Sequence, residues 1–385
     1  MFETVLTALG LLAAVFVGVN IGGSSTGVAF GPSVGSKLVS KKGAAALMTV
    51  FAFLGGWTLG RQVIETMGGE IVPQSEFTLV ASLVILFFIG LSLLISNLAG
   101  VPASTSMTAV GAIAGLGIAT NSLNWPVMGR IMSWWLVAPA VAFLAGGVIG
   151  RYLYVHLQKF FHIDRTEGKI FRYWKGLPVG MGESTSKREA VSSILVLVIA
   201  CYMAFSAGAS NVANAVAPLI GSSVISLDMN IGILIGVGAM SLGGFTIARK
   251  TLETVGDGIT ELPLLAALVV SAVSASIISV LSLMGIPASL AISSTMCITG
   301  LGWGRASRTV KVRDTLHGET PDMNPAALKE DTGKKIGEES GGDLPDRKLF
   351  DPKVISHVVT MWILTPVISA SASFVVFKAI SLLMP

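Results

Sequence analysis

The stretch GGSSTGVAFGPSVGS, residues 22–36, returns later in the chain as GASNVANAVAPLIGS, residues 208–222. We call them the first and second motif. Both are rich in small and polar residues, neither contains a charge, and both lie in strongly apolar sequence. Aligned without a gap, they share the pairs Gly22/Gly208, Ser24/Ser210, Ala29/Ala215, Pro32/Pro218, Gly35/Gly221 and Ser36/Ser222. The match indicates that part of the chain is repeated.

The composition places the chain in a membrane. Of its 385 residues, 52% are hydrophobic and 12% are charged, whereas soluble domains carry about 25% charged residues. Four long uncharged runs lie between Glu3 and Lys37, Glu76 and Arg130, Glu189 and Asp228, and Glu261 and Arg305. Uncharged apolar runs of more than about 18 residues predict membrane helices, and the period-two alternation of a β-barrel is absent. We therefore expect an all-α polytopic protein of the cell membrane (inner or plasma membrane), with the lipid bilayer as its surroundings.

Charge and cysteine content argue against several other classes. The net charge of +4 lies mostly in loops and does not indicate a nucleic-acid partner. The two cysteines lie in apolar segments, which favours neither a disulfide framework nor a metal site. No Lys or Arg precedes the first apolar run, so we interpret that run as a first span and not as a cleaved signal. The apolar blocks contain no cluster of His, Asp and Glu and no nucleophile–base pair, so we expect no enzyme and no cofactor.

Three further pairs extend the repeat. FLGGWT at 53–58 matches SLGGFT at 241–246, IETMGGEI at 64–71 matches LETVGDGI at 252–259, and STSMTAVGA at 104–112 matches SSTMCITGL at 293–301. All the pairs occur in the same order and at a nearly constant offset, which predicts a duplicated unit. Duplication within a membrane protein is typical of transporters. We expect a first repeat over 1–161, a basic linker over 162–190, a second repeat that begins over 191–304, a charged solvated loop over 305–353 and a last membrane segment over 354–385.

Each repeat contains three consecutive hydroxyl residues near a Gly-x-Pro break. They are Ser104-Thr105-Ser106 and Ser293-Ser294-Thr295. Gly and Pro interrupt the incoming helix, and Ser or Thr favours the N-cap of the next one. We therefore expect two re-entrant helical hairpins whose N-termini offer N–H groups to an anion. Hydroxyls that bond back to their own helix are the alternative. An alignment on Gly-x-Pro-Ala-Ser would instead pair Ser104 with Ser289, and both alignments stay open.

Other polar residues are candidates for ion binding. The glycines of the two motifs mark segments that unwind or helices that approach closely. The serine oxygens and the amides of Asn211 and Asn214 suit either Na⁺ or an anion. Three acids near the ends of short apolar blocks are either coupling-cation ligands or ordinary helix-end acids: Glu65, Glu253 and Asp257. Trp125, Trp134 and Trp135 are expected to anchor the protein at the membrane interface.

These segments together resemble the PiT family of inorganic phosphate transporters, which includes sulfate permeases. The two motifs are similar to the family's GANDVANAFGTSVGS, PASTS and ISSTM to its PVSTTH hairpin motif, and ETVGDGIT to its TVG-x-x-IT segment. The resemblance spans nearly the whole chain. It implies an inverted repeat, two re-entrant hairpins, a homodimer, and cation-coupled uptake of a tetrahedral oxyanion by alternating access.

The resemblance also implies which residues bind the ions. Carried over by position, the anion ligands are Ser104, Thr105, Ser106, Ser293, Ser294, Thr295, Ser25 and Asn211. The coupling-cation ligands are Ser24, Ser210 and Asn214, which would hold Na⁺. The three acids named above, Glu65, Glu253 and Asp257, are further coupling-cation candidates from their place in the sequence and not from the resemblance.

The chain departs from the family pattern at positions that bear charge. The motif Asp is replaced by Ser25 and Asn211, one motif Asn by Val28, and the hairpin His by Met107 and Met296. A phosphate group has a second pKa of about 6, so a bound phosphate can donate its proton to a carboxylate. Sulfate has no such proton, and a facing carboxylate would repel it. We therefore hypothesise a sulfate symporter coupled to Na⁺ or H⁺. A sodium-dependent phosphate transporter is the main alternative, and a passive anion channel is the third.

Overall fold

The computed structural model describes residues 2–36, 38–98, 104–161, 171–174, 177–181, 187–222, 227–248, 252, 264–309 and 352–383. Most of the predicted linker and of the charged loop lies outside these ranges. The helices are α1 (Phe2–Gly35), α2 (Lys41–Thr58), α3 (Gly60–Glu65), α4 (Leu79–Leu98), α5 (Thr105–Ala119), α6 (Trp125–Val148), α7 (Tyr154–Phe161), α8 (Lys187–Ile220), α9 (Met229–Thr246), α10 (Leu264–Leu283), α11 (Leu290–Ala306) and α12 (Pro352–Leu383). Two strands, β1 (Phe171–Trp174) and β2 (Leu177–Met181), form an antiparallel hairpin in the linker.

The prediction of an all-α membrane protein is confirmed. Six described helices are long and apolar enough to cross a bilayer, and a seventh span results if α2 and α3 count as one helix bent by 64°. α5 differs from them because it has 15 residues. At about 1.5 Å per residue it is roughly 22 Å long, shorter than a hydrocarbon core of about 30 Å. This length suits a helix that enters the membrane and does not cross it.

The first helix of each repeat packs against the second helix of the other. α1 lies against α9, and α8 lies against α2. A Cβ added to Gly22 would lie 1.9 Å from the Met240 carbonyl oxygen, and one added to Gly208 would lie 2.2 Å from that of Ala52. The two contacts lie at equivalent positions of the two repeats. The repeats therefore cross over, because each one packs its first helix against the second helix of the other.

The glycines of the motifs therefore mark close approach and not unwinding. α1 and α8 continue as α-helices through the motifs to Gly35 and Ile220. The alternative that the chain unwinds at Gly22, Gly23, Gly27 or Gly208 is wrong, because both helices are continuous there. At Gly22 and Gly208 the absent side chain admits a neighbouring backbone instead.

The short helices cross over in the same way, because each packs against the last long helix of the other repeat. α5 lies against α12, and α11 lies against α6. A Cβ on Gly115 would lie 2.4 Å from the Ala370 carbonyl oxygen, and one on Gly300 would lie 2.0 Å from that of Phe143. Gly115 and Gly300 are thus equivalent. Their offset along the chain is the one that separates Ser104 from Ser289 in the Gly-x-Pro-Ala-Ser alignment, so Ser289 is the structural equivalent of Ser104.

Candidate anion-binding site

Both short helices begin at a serine cap. The hydroxyl of Ser104 accepts a hydrogen bond from the N–H of Met107 at 3.3 Å, and the backbone of Ser104 is extended. Ser289 is also extended and accepts from the N–H of Ile292 at 3.3 Å. The remaining N–H groups of each first turn have no partner within their own helix. Each helix therefore presents the positive end of its dipole at its N-terminus.

The second hydroxyl triplet does not occupy the N-terminus of its helix. Because α11 begins after Ser289, Ser293 lies one turn inside it. The alignment of Ser104 with Ser293 is therefore wrong for the cap. The Gly-x-Pro-Ala-Ser spacing was the signal that identifies the correct serine.

The N-termini of α5 and α11 lie close together beside α8. The hydroxyl of Ser210 donates to the Ala288 carbonyl at 2.8 Å and lies 3.5 Å from the hydroxyl oxygen of Ser106. Met107 of α5 packs in one buried cluster with Ile292 of α11. The starts of the two short helices therefore lie close together, and Ser210 contacts both of them.

Two asparagines of the second motif connect α8 to the start of α5. Thr105 donates its hydroxyl hydrogen to Asn211 Oδ1 at 2.9 Å. The Asn214 amide nitrogen lies 3.2 Å from Ser106 Oγ, 3.3 Å from Thr105 Oγ1 and 3.2 Å from Asn211 Oδ1. Asn211 Nδ2 lies 3.5 Å from the hydroxyl oxygen of Ser25 on α1. We call this group the tip cluster: Ser25, Thr105, Ser106, Ser210, Asn211 and Asn214.

The tip cluster is buried and carries no formal charge. Ser106, Ser210 and Asn214 are fully buried, and Asn211 is 6% exposed. Among the described residues no Asp or Glu is buried, and no group of His, Cys, Asp and Glu could hold a metal ion. The carbonyl oxygen of Asn214 has no hydrogen-bond partner in the described part of the chain. Neutral donors near helix N-termini suit an anion, and an unpartnered carbonyl oxygen is a ligand that suits a cation.

The other predicted ligands lie apart from this network. Ser293 is buried and lines a cleft together with Ser289, Met107 and Trp135. The hydroxyl of Ser294 is buried without a partner among the described residues, while that of Thr295 donates to its own helix at the Ala291 carbonyl, 2.9 Å away. The three residues of the second triplet therefore have different surroundings: Ser293 lines a cleft, Ser294 has no partner among the described residues, and Thr295 bonds to its own helix.

The predicted cation ligands also lie in different parts of the structure. Ser210 and Asn214 belong to the tip cluster. The hydroxyl of Ser24 bonds within α1, to the Ile21 carbonyl at 3.0 Å. Glu65 is exposed at the end of α3, and Glu253 and Asp257 lie outside the described residues.

One tryptophan makes a contact that the sequence did not predict. The indole N–H of Trp135 donates to the Pro287 carbonyl at 2.9 Å, in the loop that leads into α11. Trp135 therefore joins α6 to the second hairpin, and the expected role of the tryptophans as interfacial anchors stays a prediction.

Comparisons with known proteins show the family of the chain and a fold like its own. The model of the phosphate transporter family, PHO4, matches residues 21–373. Sulfate permease CysP of Bacillus subtilis is 32% identical over 77% of this chain and 77% of its own length. A putative phosphate permease of Haemophilus influenzae is 26% identical over 75% of this chain and 86% of its own. Among solved structures, a sodium-dependent phosphate transporter has a TM-score of 0.67 at 19% identity and covers 99% of this chain and 100% of its own.

Proposed function

Because the chain belongs to the phosphate transporter family, we propose that this multi-pass membrane protein is a symporter that takes up sulfate in preference to phosphate, coupled to Na⁺. The family match supports transport of an inorganic oxyanion as the function. The 32% identity to a sulfate permease supports sulfate as the substrate. The likeness to a sodium-dependent phosphate transporter, at 19% identity, is a likeness of fold alone. The preference for one anion therefore has to be argued from the site.

The observation that carries the sulfate proposal is the neutral tip cluster. Ser25 and Asn211 occupy the two positions where the family pattern has a carboxylate. The amide nitrogen of Asn211 lies 3.5 Å from the hydroxyl oxygen of Ser25. A carboxylate here would face a dianion at low dielectric, which is strongly unfavourable. Hydroxyl and amide hydrogens can all donate to sulfate, which accepts from every oxygen. A bound hydrogen phosphate would lack an acceptor as strong as a carboxylate for its proton.

The Na⁺ proposal rests on Asn214. Its carbonyl oxygen is buried without a partner among the described residues, and its amide hydrogens are directed at Thr105 and Ser106. A Na⁺ bound by this oxygen would offset part of the charge of a sulfate bound by the hydroxyls. This arrangement explains why the cluster needs no charged side chain of its own. Transport by alternating access and a homodimeric assembly remain predictions of the family resemblance.

Uptake into proteoliposomes tests the proposal. Radiolabelled sulfate and phosphate are offered separately, each with and without a Na⁺ gradient and with and without a pH gradient. We expect concentrative sulfate uptake that requires the Na⁺ gradient and that excess phosphate barely inhibits. Saturable phosphate uptake that sulfate does not inhibit would overturn the sulfate assignment. Uptake that depends on the pH gradient alone would show that the coupling ion is H⁺ and not Na⁺. Non-saturable, non-concentrative flux would indicate a channel.

A single substitution tests the carboxylate argument directly. Asn211→Asp restores the family's acid, and we expect the ratio of phosphate to sulfate uptake to rise at least tenfold, since about 1.4 kcal/mol corresponds to a factor of ten. Asn124→Asp is the matched control, because Asn124 is an exposed helix cap at which Asp serves equally well. An unchanged ratio in Asn211→Asp would show that other groups set the selectivity.

A further inference from the structure

A row of buried hydroxyl groups lies outside the tip cluster, on α8 and α10, and a further buried serine, Ser274, lies on another face of α10. Ser206, Ser274, Ser279 and Ser282 are each at least nine-tenths buried, and their hydroxyls have no hydrogen-bond partner in the described part of the chain. A helical serine commonly bonds back to the carbonyl four residues earlier. Ser276 does so, at 2.8 Å from the Ala272 carbonyl, but these four do not. Water or an ion is the partner that remains for them.

Contacts between α8 and α10 fix the register of the row. The two helices pack together. The hydroxyl of Tyr202 donates to Ser276 at 3.3 Å. Further along α8, Ser210 donates to the carbonyl of Ala288, which lies beyond the end of α10 in the loop before α11. Tyr202, Ser206 and Ser210 recur at every fourth position and lie on one face of α8. Ser206 therefore faces α10 between the two contacts.

The same register orders the hydroxyls of α10. Ser279 and Ser282 follow Ser276 by one and nearly two helical turns and precede Ala288. They lie in the segment that faces α8 between Tyr202 and Ser210. One further turn along α8 from Ser210 is Asn214, whose carbonyl oxygen also lacks a partner among the described residues. The row thus leads to the oxygen that the proposed Na⁺ site uses.

The equivalent helix of the first repeat lacks these hydroxyls. α4 aligns with α10 at the offset that relates Ser104 to Ser289, and it has apolar residues at four of the five serine positions of α10: Leu86 for Ser271, Ile89 for Ser274, Leu91 for Ser276 and Leu94 for Ser279. The fifth position, Ser282, is polar in both repeats, with Asn97 in α4. Leu86 and Ile89 are fully buried. Apolar side chains therefore satisfy the packing at the equivalents of Ser271 and Ser274. Leu94, the equivalent of Ser279, is 37% exposed, so a buried hydroxyl at Ser279 is particular to the second repeat.

We propose that the interface of α8 and α10 is a hydrated polar path that leads Na⁺ to the tip cluster. This rests on the proposed function, which requires a coupling cation to reach a buried site. Serine hydroxyl oxygens are neutral, hard ligands that replace water around Na⁺ without trapping it. At the end of the interface away from the tip cluster, Val196 of α8 and Leu268 of α10 pack with Leu38 and close the row with apolar side chains.

Cysteine labelling tests the path without any need for transport. In a background with Cys201 and Cys297 replaced by alanine, Ser279→Cys is exposed in native membranes to a methanethiosulfonate that carries a quaternary ammonium group. We expect Ser279→Cys to be labelled. Two neighbours are controls that we expect to resist: Ile278→Cys, fully buried, and Val280→Cys, 56% exposed on the apolar surface. Resistance of Ser279→Cys, or equal labelling of Ile278→Cys, would overturn the hydrated path.

Uptake by Ser279→Ala identifies the ion. We expect the Na⁺ concentration for half-maximal sulfate uptake to rise at least threefold, with the half-saturating sulfate concentration unchanged. Labelling without this change would overturn the assignment of the path to Na⁺. If the wild-type protein transports no oxyanion, the proposed function fails, and the labelling result still decides whether the path exists.

Discussion

The two repeats have the same packing but different chemistry at their short helices. In both, a serine cap starts the helix, and a glycine further along admits the backbone of a long partner helix. At the first tip, Asn211 and Asn214 of α8 bond to Thr105 and Ser106. At the equivalent of Asn214 in α1 the residue is Val28, 37% exposed. Duplication preserved the residues that let helices approach, whereas the polar groups diverged, so packing and ion binding are separable in this fold.

The largest effect is expected where the two repeats agree. Gly115→Ala and Gly300→Ala should each prevent folding, because the new Cβ would lie 2.4 Å and 2.0 Å from a backbone carbonyl oxygen that cannot move aside. Gly302→Ala is the control, since no atom lies within 4 Å of its added Cβ. The measurement is the yield of monodisperse protein in mild detergent. Normal yield from either close-contact variant would show that these helix pairs are not rigidly fixed.

A large effect on uptake is expected where the repeats differ. Asn214→Val copies the residue of the first motif into the second and removes an amide shared by three acceptors. Each buried polar group left without its partner costs about 1–3 kcal/mol, so we expect the sulfate affinity to fall at least tenfold. Val28→Asn is the reciprocal control and should leave uptake unchanged. Equal losses in both variants would mean that α1 contributes an equivalent site.

An intermediate effect is expected at the caps. Ser104→Ala and Ser289→Ala should each lower the free energy of unfolding by about 1 kcal/mol, the usual value of an N-cap, while Ser293→Ala should lower it less. Ser104→Ala should also weaken sulfate binding more than Ser293→Ala, because Ser104 adjoins the tip cluster. Thermal unfolding in detergent and sulfate binding report the two quantities. A greater loss of stability in Ser293→Ala than in Ser289→Ala would contradict the equivalence of Ser289 and Ser104.

The smallest effect is expected at Thr295. Its hydroxyl bonds to the Ala291 carbonyl of its own helix, and Thr299 bonds in the same way to the Thr295 carbonyl. Thr295→Val and its control Thr299→Val should each change stability by less than about 0.5 kcal/mol and leave sulfate affinity unaltered. A tenfold loss of affinity in Thr295→Val alone would restore Thr295 as an anion ligand.

Composition, charge-free runs and the repeat were sufficient to predict the membrane fold and the duplication. Three details of the structure could not be decided from the sequence. The choice between Ser289 and Ser293 as the cap stayed open in the sequence, because the Ser-Ser-Thr run at 293–295 resembles the first triplet in composition at a different helical position. The continuity of α1 and α8 depends on neighbours that fill the glycine gaps. The hydroxyl row of α10 is invisible in an apolar helix until burial and partners are known, because serine is also tolerated as a packing residue.

The crossed pairing of α1 with α9 and of α8 with α2 has a consequence for biosynthesis. As the chain emerges from the ribosome, α1 must wait until synthesis has passed the middle of the chain before Met240 is made to meet Gly22. Contacts this distant in sequence form late, and until then the glycine faces of the first repeat have no protein surface to cover them. The N-terminal half is therefore an incomplete module in the nascent protein. Supplied as a separate chain, it should require the C-terminal half in the same membrane to reach its final packing.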